Sequence, residues 1–258
     1  MSFGAAGWVA FGDDALADWV AAVAPVARAI ARDPDAQAAW LRHGQTWFAG
    51  VNILPNDDAG RVADGPPLSG DALTIAAACS DHPVTWDRGQ LSIVYPGYPK
   101  QDAGESDAAH RFRRNRDAAH VDGLLPVGAE RRRKMQEPHG FVLGIPLNDC
   151  SRDASPMVVW EGSHEIMRAA FREALSALPE VDWPDADLTD VYQAARRRCF
   201  EECARVTVHV SPGQGYFVHR LALHGVAPWA DAARAPEEGR MIAYFRPAFP
   251  GTNWIDAP

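Results

Sequence analysis

From about residue 46 onward this chain is a series of short apolar runs, each cut off by Gly, Pro, Asn or Asp. They read TWFAGVNILPND, GPPLSG, GQLSIVYPGYP, AHVDGLL, HGFVLGIPL, SPMVVW, RVTVHVSP, GQGYFVHRLALHGV and RMIAYFRPAF. Most are too short for helices, rich in Val, Ile, Phe and Tyr, and separated by turn residues, so they predict an all-β barrel or sandwich. One helical block interrupts them, at about residues 163–204, with Ser163 as the expected N-cap and Glu161 and Glu165 near its positive end. Ahead of the strands, a helical flank covers about residues 10–45. Asp13 and Asp14 cap it, Leu16, Trp19, Val20, Val23 and Val26 recur at helical spacing, and Pro25 and Pro34 are expected to divide it.

The whole chain, 1–258, is therefore read as a single domain, mainly β with flanking helices and a core at about 46–250. At 258 residues with 47% hydrophobic content and nine Trp, it can bury a substantial core. A net charge of −9 disfavours nucleic acid and anionic membrane as partners. No run of 18 apolar residues predicts a membrane span. The opening MSFGAAGWVAFGDDALADWV carries acids where a signal peptide needs bases, so a cytoplasmic location is the default expectation. Four Cys in a chain this long make no disulfide framework, and Cys199 and Cys203 are read as reduced thiols on one helix. The sequence sets no oligomeric state.

The residues that carry chemistry are His120-Val121-Asp122, His224 and Arg240. Two imidazoles and one carboxylate bind one face of an octahedral iron(II) and leave the other face open. The tripeptide alone is weak: nine His and 34 acids in 258 residues yield about one His-X-Asp/Glu by chance. On a strand, however, His120 and Asp122 face the same side. His224, at the end of the apolar run GYFVHRLALHG, supplies a third ligand if that run is a neighbouring strand. Arg240 opens the last strand candidate, where a guanidinium can clamp a carboxylate through two parallel hydrogen bonds. Arg246 lies on the same face by its even offset. Gln90 and Ser92 share a face and are weaker candidates for the same cavity. His219 is read as a packed residue, His164 as a local structural one, and Tyr95, Trp160 and Trp229 as ordinary packing. Two basic clusters, Arg111, Arg113, Arg114 and Arg116, and Arg131-Arg132-Arg133-Lys134, are read first as solvated faces and second as a rim attracting an anionic substrate.

In order, AHVDGLL, GIPLND, SPMVVWEGSHEIMR, HRLALHGVAPW and GRMIAYFRP resemble the phytanoyl-CoA dioxygenase (PhyH) family of Fe(II)- and 2-oxoglutarate-dependent oxygenases. SPMVVWEGSH is similar to that family's small-apolar-apolar run ending in Gly-Ser/Thr-His before a helix. The resemblance covers roughly residues 85–250 and implies a double-stranded β-helix, a jelly-roll, cupin-like core. It implies that His120, Asp122 and His224 hold the metal and that Arg240, rather than Arg246, binds the far carboxylate of 2-oxoglutarate. It also implies O2 as oxidant and succinate and CO2 as products, with hydroxylation of an unactivated C–H in a small or medium organic substrate. Asp122 argues for oxygenation over halogenation, since related halogenases have a small residue there. The chain departs from the family in the 16-residue interval from His224 to Arg240 and in Val226, where Ser or Thr is frequent. The alternatives are a cupin-like metal hydrolase with zinc or manganese and a non-catalytic small-molecule-binding barrel. The motifs do not encode the substrate.

Overall fold

The structure, a computed structural model, describes residues 3–80, 82–249 and 254–257. Its helices are α1 (Phe3–Ala6), α2 (Asp14–Arg32), α3 (Pro34–Trp40), α4 (Asp71–Ala78), α5 (Asp107–Asn115), α6 (Ser163–Leu175) and α7 (Thr189–Glu202), with a 3₁₀ turn at Glu180–Asp185. Its strands are β1 (Trp8–Gly12), β2 (Leu41–Arg42), β3 (Trp47–Gly50), β4 (Gln90–Val94), β5 (Leu124–Val127), β6 (Arg132–Met135), β7 (Phe141–Pro146), β8 (Met157–Trp160), β9 (Arg205–Val208), β10 (Gln214–His219), β11 (His224–Val226) and β12 (Arg240–Phe245).

Seven strands form one antiparallel sheet in the order β1-β10-β7-β12-β4-β3-β2, and three form a second, β11-β8-β9. These two sheets are the halves of a jelly roll, and β5-β6 is a separate hairpin. Period-two alternation sorts the side chains between the layers. Val142, Tyr216, Val218, Ile242 and Tyr244 of the large sheet meet Met157, Val159 and Val208 of the small one. On the opposite face of the large sheet, Leu143, Ile145, Phe217, Met241 and Phe245 pack with Trp19, Val23 and Ala27 of α2. Val158 and Trp160 turn away from the barrel into a third core with Met167 and Phe171 of α6 and Tyr192 and Cys199 of α7. Because β7 and β12 are covered on both sides, every residue in them is buried and their sequences are near-continuously apolar.

Several expectations need correction. Helix α2 runs through Pro25 without a break. The buried stripe from Leu16 to Ala31 outweighs the one backbone hydrogen bond that proline removes. Pro34 does divide the flank: Asp33 ends α2 and caps α3 by accepting the N–H of Ala36 at 2.8 Å. The large sheet also reaches outside 46–250, since β1 and β2 join it from the expected helical flank. The far end of that range, position 250, lies outside the described residues. Ser163 is not the N-cap of α6. Gly162 is, at φ +77°, and the Ser163 hydroxyl instead accepts the N–H of Leu223 at 2.8 Å. The polar stretch 100–119 contains α5, capped by Ser106 and carrying Arg113 and Arg114 in its last turn, where they oppose the helix dipole.

Candidate metal site

The tripeptide is not on a regular strand. His120 makes a single antiparallel bridge to His224, exchanging backbone hydrogen bonds of 2.8 and 3.0 Å, and Asp122 and Gly123 lie in the turn that leads into β5. Gly123 adopts φ +86° with its α-carbon against the Glu137 carbonyl, where a Cβ would sit 2.6 Å from that oxygen. That turn swings Asp122 back under His120. The GYFVHRLALHG run is likewise two strands, not one. β10 ends at His219 in the large sheet and β11 begins at His224 in the small one, with the turn between them crossing the barrel. Period-two counting therefore reached the shared orientation of His120 and Asp122 by a route the backbone does not take.

The three side chains nevertheless converge. His120 Nε2 is 3.2 Å from Asp122 Oδ1, and His224 Nε2 is 3.9 Å from the same oxygen. One donor atom from each of the three lies within 4.8 Å of the others. Both rings are oriented from behind: His120 Nδ1 faces the Ala118 carbonyl at 3.0 Å and His224 Nδ1 faces the Ala222 carbonyl at 2.9 Å. With Nδ1 protonated against its carbonyl, each ring can offer the Nε2 lone pair to a metal held beside Asp122 in place of the proton His120 shares with that carboxylate. This donor set fits a divalent transition metal.

Burial would raise the Asp122 carboxyl, but the hydrogen bond from His120 and the nearby His224, His120 and Arg246 hold it well below the usual range. Burial and the neighbouring His120 push His224 down to about 4. Burial lowers His120, but the hydrogen bond and charge of Asp122 outweigh it and raise that imidazole, so the anion faces one ring held toward protonation and one held neutral.

Two cavities meet at the triad. One, of about 230 Å³, lies inside the barrel and is walled by Trp47, Gln90, Ser92, Val142, Met157 and Tyr244. The other, of about 320 Å³, lies on the Val121 side of the tripeptide, toward α5 and α7. His120, Asp122 and Arg246 border both. Gln90 and Ser92 are thus beside the triad, Ser92 accepting the Trp47 indole N–H at 3.0 Å. Val226 borders the inner cavity.

The two arginines of the last strand differ. Arg246, one residue past β12, donates to Gln90 Oε1 at 2.6 Å and has Nη1 3.7 Å from Asp122 Oδ2. Arg240 is 6% exposed, borders neither cavity, and has no ion pair among the described residues. Its neighbours are Tyr244, Tyr216 and Cys150. The Tyr216 and Tyr244 hydroxyls are hydrogen-bonded at 2.8 Å, and the inner cavity ends at Tyr244. The contact of Arg246 with Asp122 and the tyrosine pair beside Arg240 were not visible in the sequence. Even spacing in RMIAYFR places 240, 244 and 246 on one face, and that was the only available signal.

The remaining candidates sit elsewhere. His219 is buried, with Nδ1 accepting the Leu221 N–H at 2.9 Å and Nε2 2.9 Å from Arg168. Burial and the charges of Arg220, His164 and Arg168 push it down to about 2. His164 contacts the Gly4 carbonyl at 3.1 Å. Tyr95, Trp160 and Trp229 border neither cavity. All four cysteines are free thiols.

No protein-family model and no curated protein matches this chain. Among solved structures, EvdMO1 superposes at TM-score 0.48 with 16% identity, covering 96% of this chain and 48% of that one. The present chain therefore spans about half the length of EvdMO1. The apoform of EctD from S. alaskensis gives TM-score 0.48 and 16% identity, covering 95% of this chain and 73% of that one. The non-heme alpha ketoglutarate dependent epimerase SnoN from nogalamycin biosynthesis gives 0.47 and 17%, covering 99% and 87%. Among the described residues, no helix is long and apolar enough to cross a membrane.

Proposed function

We propose that this chain is a non-haem iron(II)- and 2-oxoglutarate-dependent dioxygenase that hydroxylates an unactivated C–H of a small or medium organic substrate. The observation that carries the reading is one buried carboxylate facing two imidazole Nε2 atoms whose opposite nitrogens are both engaged by backbone carbonyls. Such a set occupies one face of an octahedral ion and leaves positions for other ligands. Iron(II) bound there would supply dioxygen activation coupled to oxidative decarboxylation of 2-oxoglutarate.

The chain's own residues divide the remaining work. Asp122 stays ionised at neutral pH and supplies the anionic ligand; its carboxylate also fills the position that a halide would need. Arg240 supplies a buried cation with no acid partner, suited to the distal carboxylate of 2-oxoglutarate, and Tyr216 and Tyr244 supply hydroxyls beside it. Gln90 and Ser92 line the inner cavity beside the triad. A cupin-like hydrolase or a binding barrel would use the same triad but gives no reason to bury a guanidinium without an acid partner beside two tyrosines.

The test is reconstitution with Fe(II) and 2-oxoglutarate under air, with succinate measured across a panel of candidate substrates. Succinate release that His120→Ala and Asp122→Ala abolish is expected. Release that survives in both variants, or none with any substrate while the chain hydrolyses esters with zinc, overturns the reading.

A further inference from the structure

Strand β6 carries three consecutive basic residues, and the structure separates them. Arg132 is paired with Asp187 and Lys134 lies 3.5 Å from Asp185, so both are held by the loop between α6 and α7. Arg133 points the other way, into the outer cavity. Its Nη1 donates to the Leu124 carbonyl at 3.1 Å and its own N–H is fixed by Thr189 Oγ1 at 2.7 Å. From α7, Arg196 enters the same cavity between two rings, its guanidinium carbon 4.7 Å from the centre of Phe112 and 5.1 Å from that of Tyr192.

Among the described residues neither Arg133 nor Arg196 has an acid within ion-pair distance. Other basic residues nearby do: Arg113 with Glu105, Arg198 with Glu202 and Arg205 with Asp117. Arg111, Arg114, Arg116, Arg131 and Arg197 have no acid partner either, but they are exposed to solvent, whereas Arg133 and Arg196 are half-buried and line one cavity together. The Tyr192 hydroxyl lies beside both and close to the Val121 backbone, between this wall and the metal-ligand tripeptide. Glu137, at the same mouth, is turned toward His139 at 3.8 Å. Phe112, Val121, Leu124 and Leu125 supply its apolar wall, and His120, Asp122 and Arg246 complete the lining.

We infer that this outer cavity is the substrate chamber and that it takes an organic oxyanion, whose carboxylate or phosphate head is held by Arg133 and Arg196 while its apolar body reaches His120 and Asp122. The role as substrate chamber rests on the oxygenase reading above; the oxyanion preference rests on the two arginines alone. Two guanidiniums held by backbone bonds and ring stacking have already lost their rotamer freedom, so little ordering cost remains when an oxyanion binds. A volume of about 320 Å³ suits a small molecule rather than a long chain.

The experiment is calorimetric binding to the full chain of phenylacetate, phenyl phosphate and the neutral isostere phenylacetamide, with Mn(II) and 2-oxoglutarate binding measured in parallel. At least one anion is expected to bind about tenfold or more tightly than the amide, and comparison of the two anions assigns the head group. Arg133→Gln with Arg196→Gln should bring that ratio to about one, whereas Arg132→Gln, at a paired residue, should keep it. Equal affinity of anions and amide for the wild-type chain, including no binding of either, overturns the inference, and that comparison needs no variant to fold. Anion preference without metal or 2-oxoglutarate binding would sink the oxygenase reading and leave the anion site standing. The reverse result would sink only the anion site.

Discussion

The two ends of β12 present the same side chain in opposite circumstances. At one end Arg240 is buried among tyrosines with no acid; at the other Arg246 is fastened to Gln90 and faces Asp122. A guanidinium whose donors are already spent steadies the groups it touches. One buried beside tyrosine hydroxyls without an acid keeps donors that an anionic ligand can use. On the proposed reading the strand joins a guanidinium suited to a 2-oxoglutarate carboxylate to one that braces Asp122. Spacing could not separate these roles, because both residues lie on the same face.

The hardest test of that contrast is the triad, since without a metal neither end has a partner to serve. His120→Ala or Asp122→Ala should lower Fe(II) affinity by about 100-fold or more and remove 2-oxoglutarate turnover, read by equilibrium dialysis and succinate release. Near-normal metal retention in either would place the metal elsewhere. Next is the contrast itself. Arg240→Ala should weaken 2-oxoglutarate binding by about 10- to 100-fold, the loss of a charge-assisted bidentate contact, with metal affinity little changed. Arg246→Ala should do the opposite, reducing metal affinity by about tenfold through loss of the group beside Asp122 while 2-oxoglutarate binding shifts only a few-fold. Exchanged outcomes would exchange the roles.

What the sequence made legible followed local rules. The short apolar runs specified strands, and HGFVLGIPL, SPMVVW and RMIAYF became β7, β8 and β12 as expected. The residues His120, Asp122 and His224 were readable as a set. Their backbone was not: a turn at Gly123 and a break at 220–223 carry the ligands, and both depend on contacts with distant segments such as the Glu137 carbonyl. Pro25 misled because tertiary burial of α2 overrode a local penalty, and Ser163 because Leu223 competes for its hydroxyl. The split of Arg132, Arg133 and Lys134 into paired and unpaired residues was invisible for the same reason: the acids that decide it are about 50 positions away.

A smaller effect sharpens the Arg240 end. Tyr216→Phe removes the hydroxyl bonded to Tyr244 at 2.8 Å and leaves both rings in place. The expected loss in 2-oxoglutarate affinity is about fivefold, the net worth of one neutral hydrogen bond. No change would mean that the tyrosine pair packs the floor without addressing the ligand.

The smallest effect belongs to the Arg246 end and is one of stability. Asp87 accepts the backbone N–H of Arg246 at 3.0 and 3.1 Å through its two oxygens. Burial nevertheless pushes its carboxyl up from 3.8 to about 6, and the Arg246 hydrogen bond and charge offset only part of that. A raised acid binds more protons folded than unfolded between those values. Its contribution is therefore fully present below about 4 and is lost as pH rises through about 6. Asp87→Asn keeps an oxygen for the Arg246 N–H and has no charge to bury. The variant's Tm relative to wild type should accordingly climb between pH 4 and pH 7, by a few degrees at most. Subtracting the two profiles cancels the opposite slope from buried, neutral His219, which costs stability as pH falls below 6.5. A difference that stays flat would mean that Asp87 is comfortably ionised and that Arg246 is braced by two full charges. The two ends of β12 would then differ more sharply: one cation with tyrosines and no acid beside it, the other with two acids.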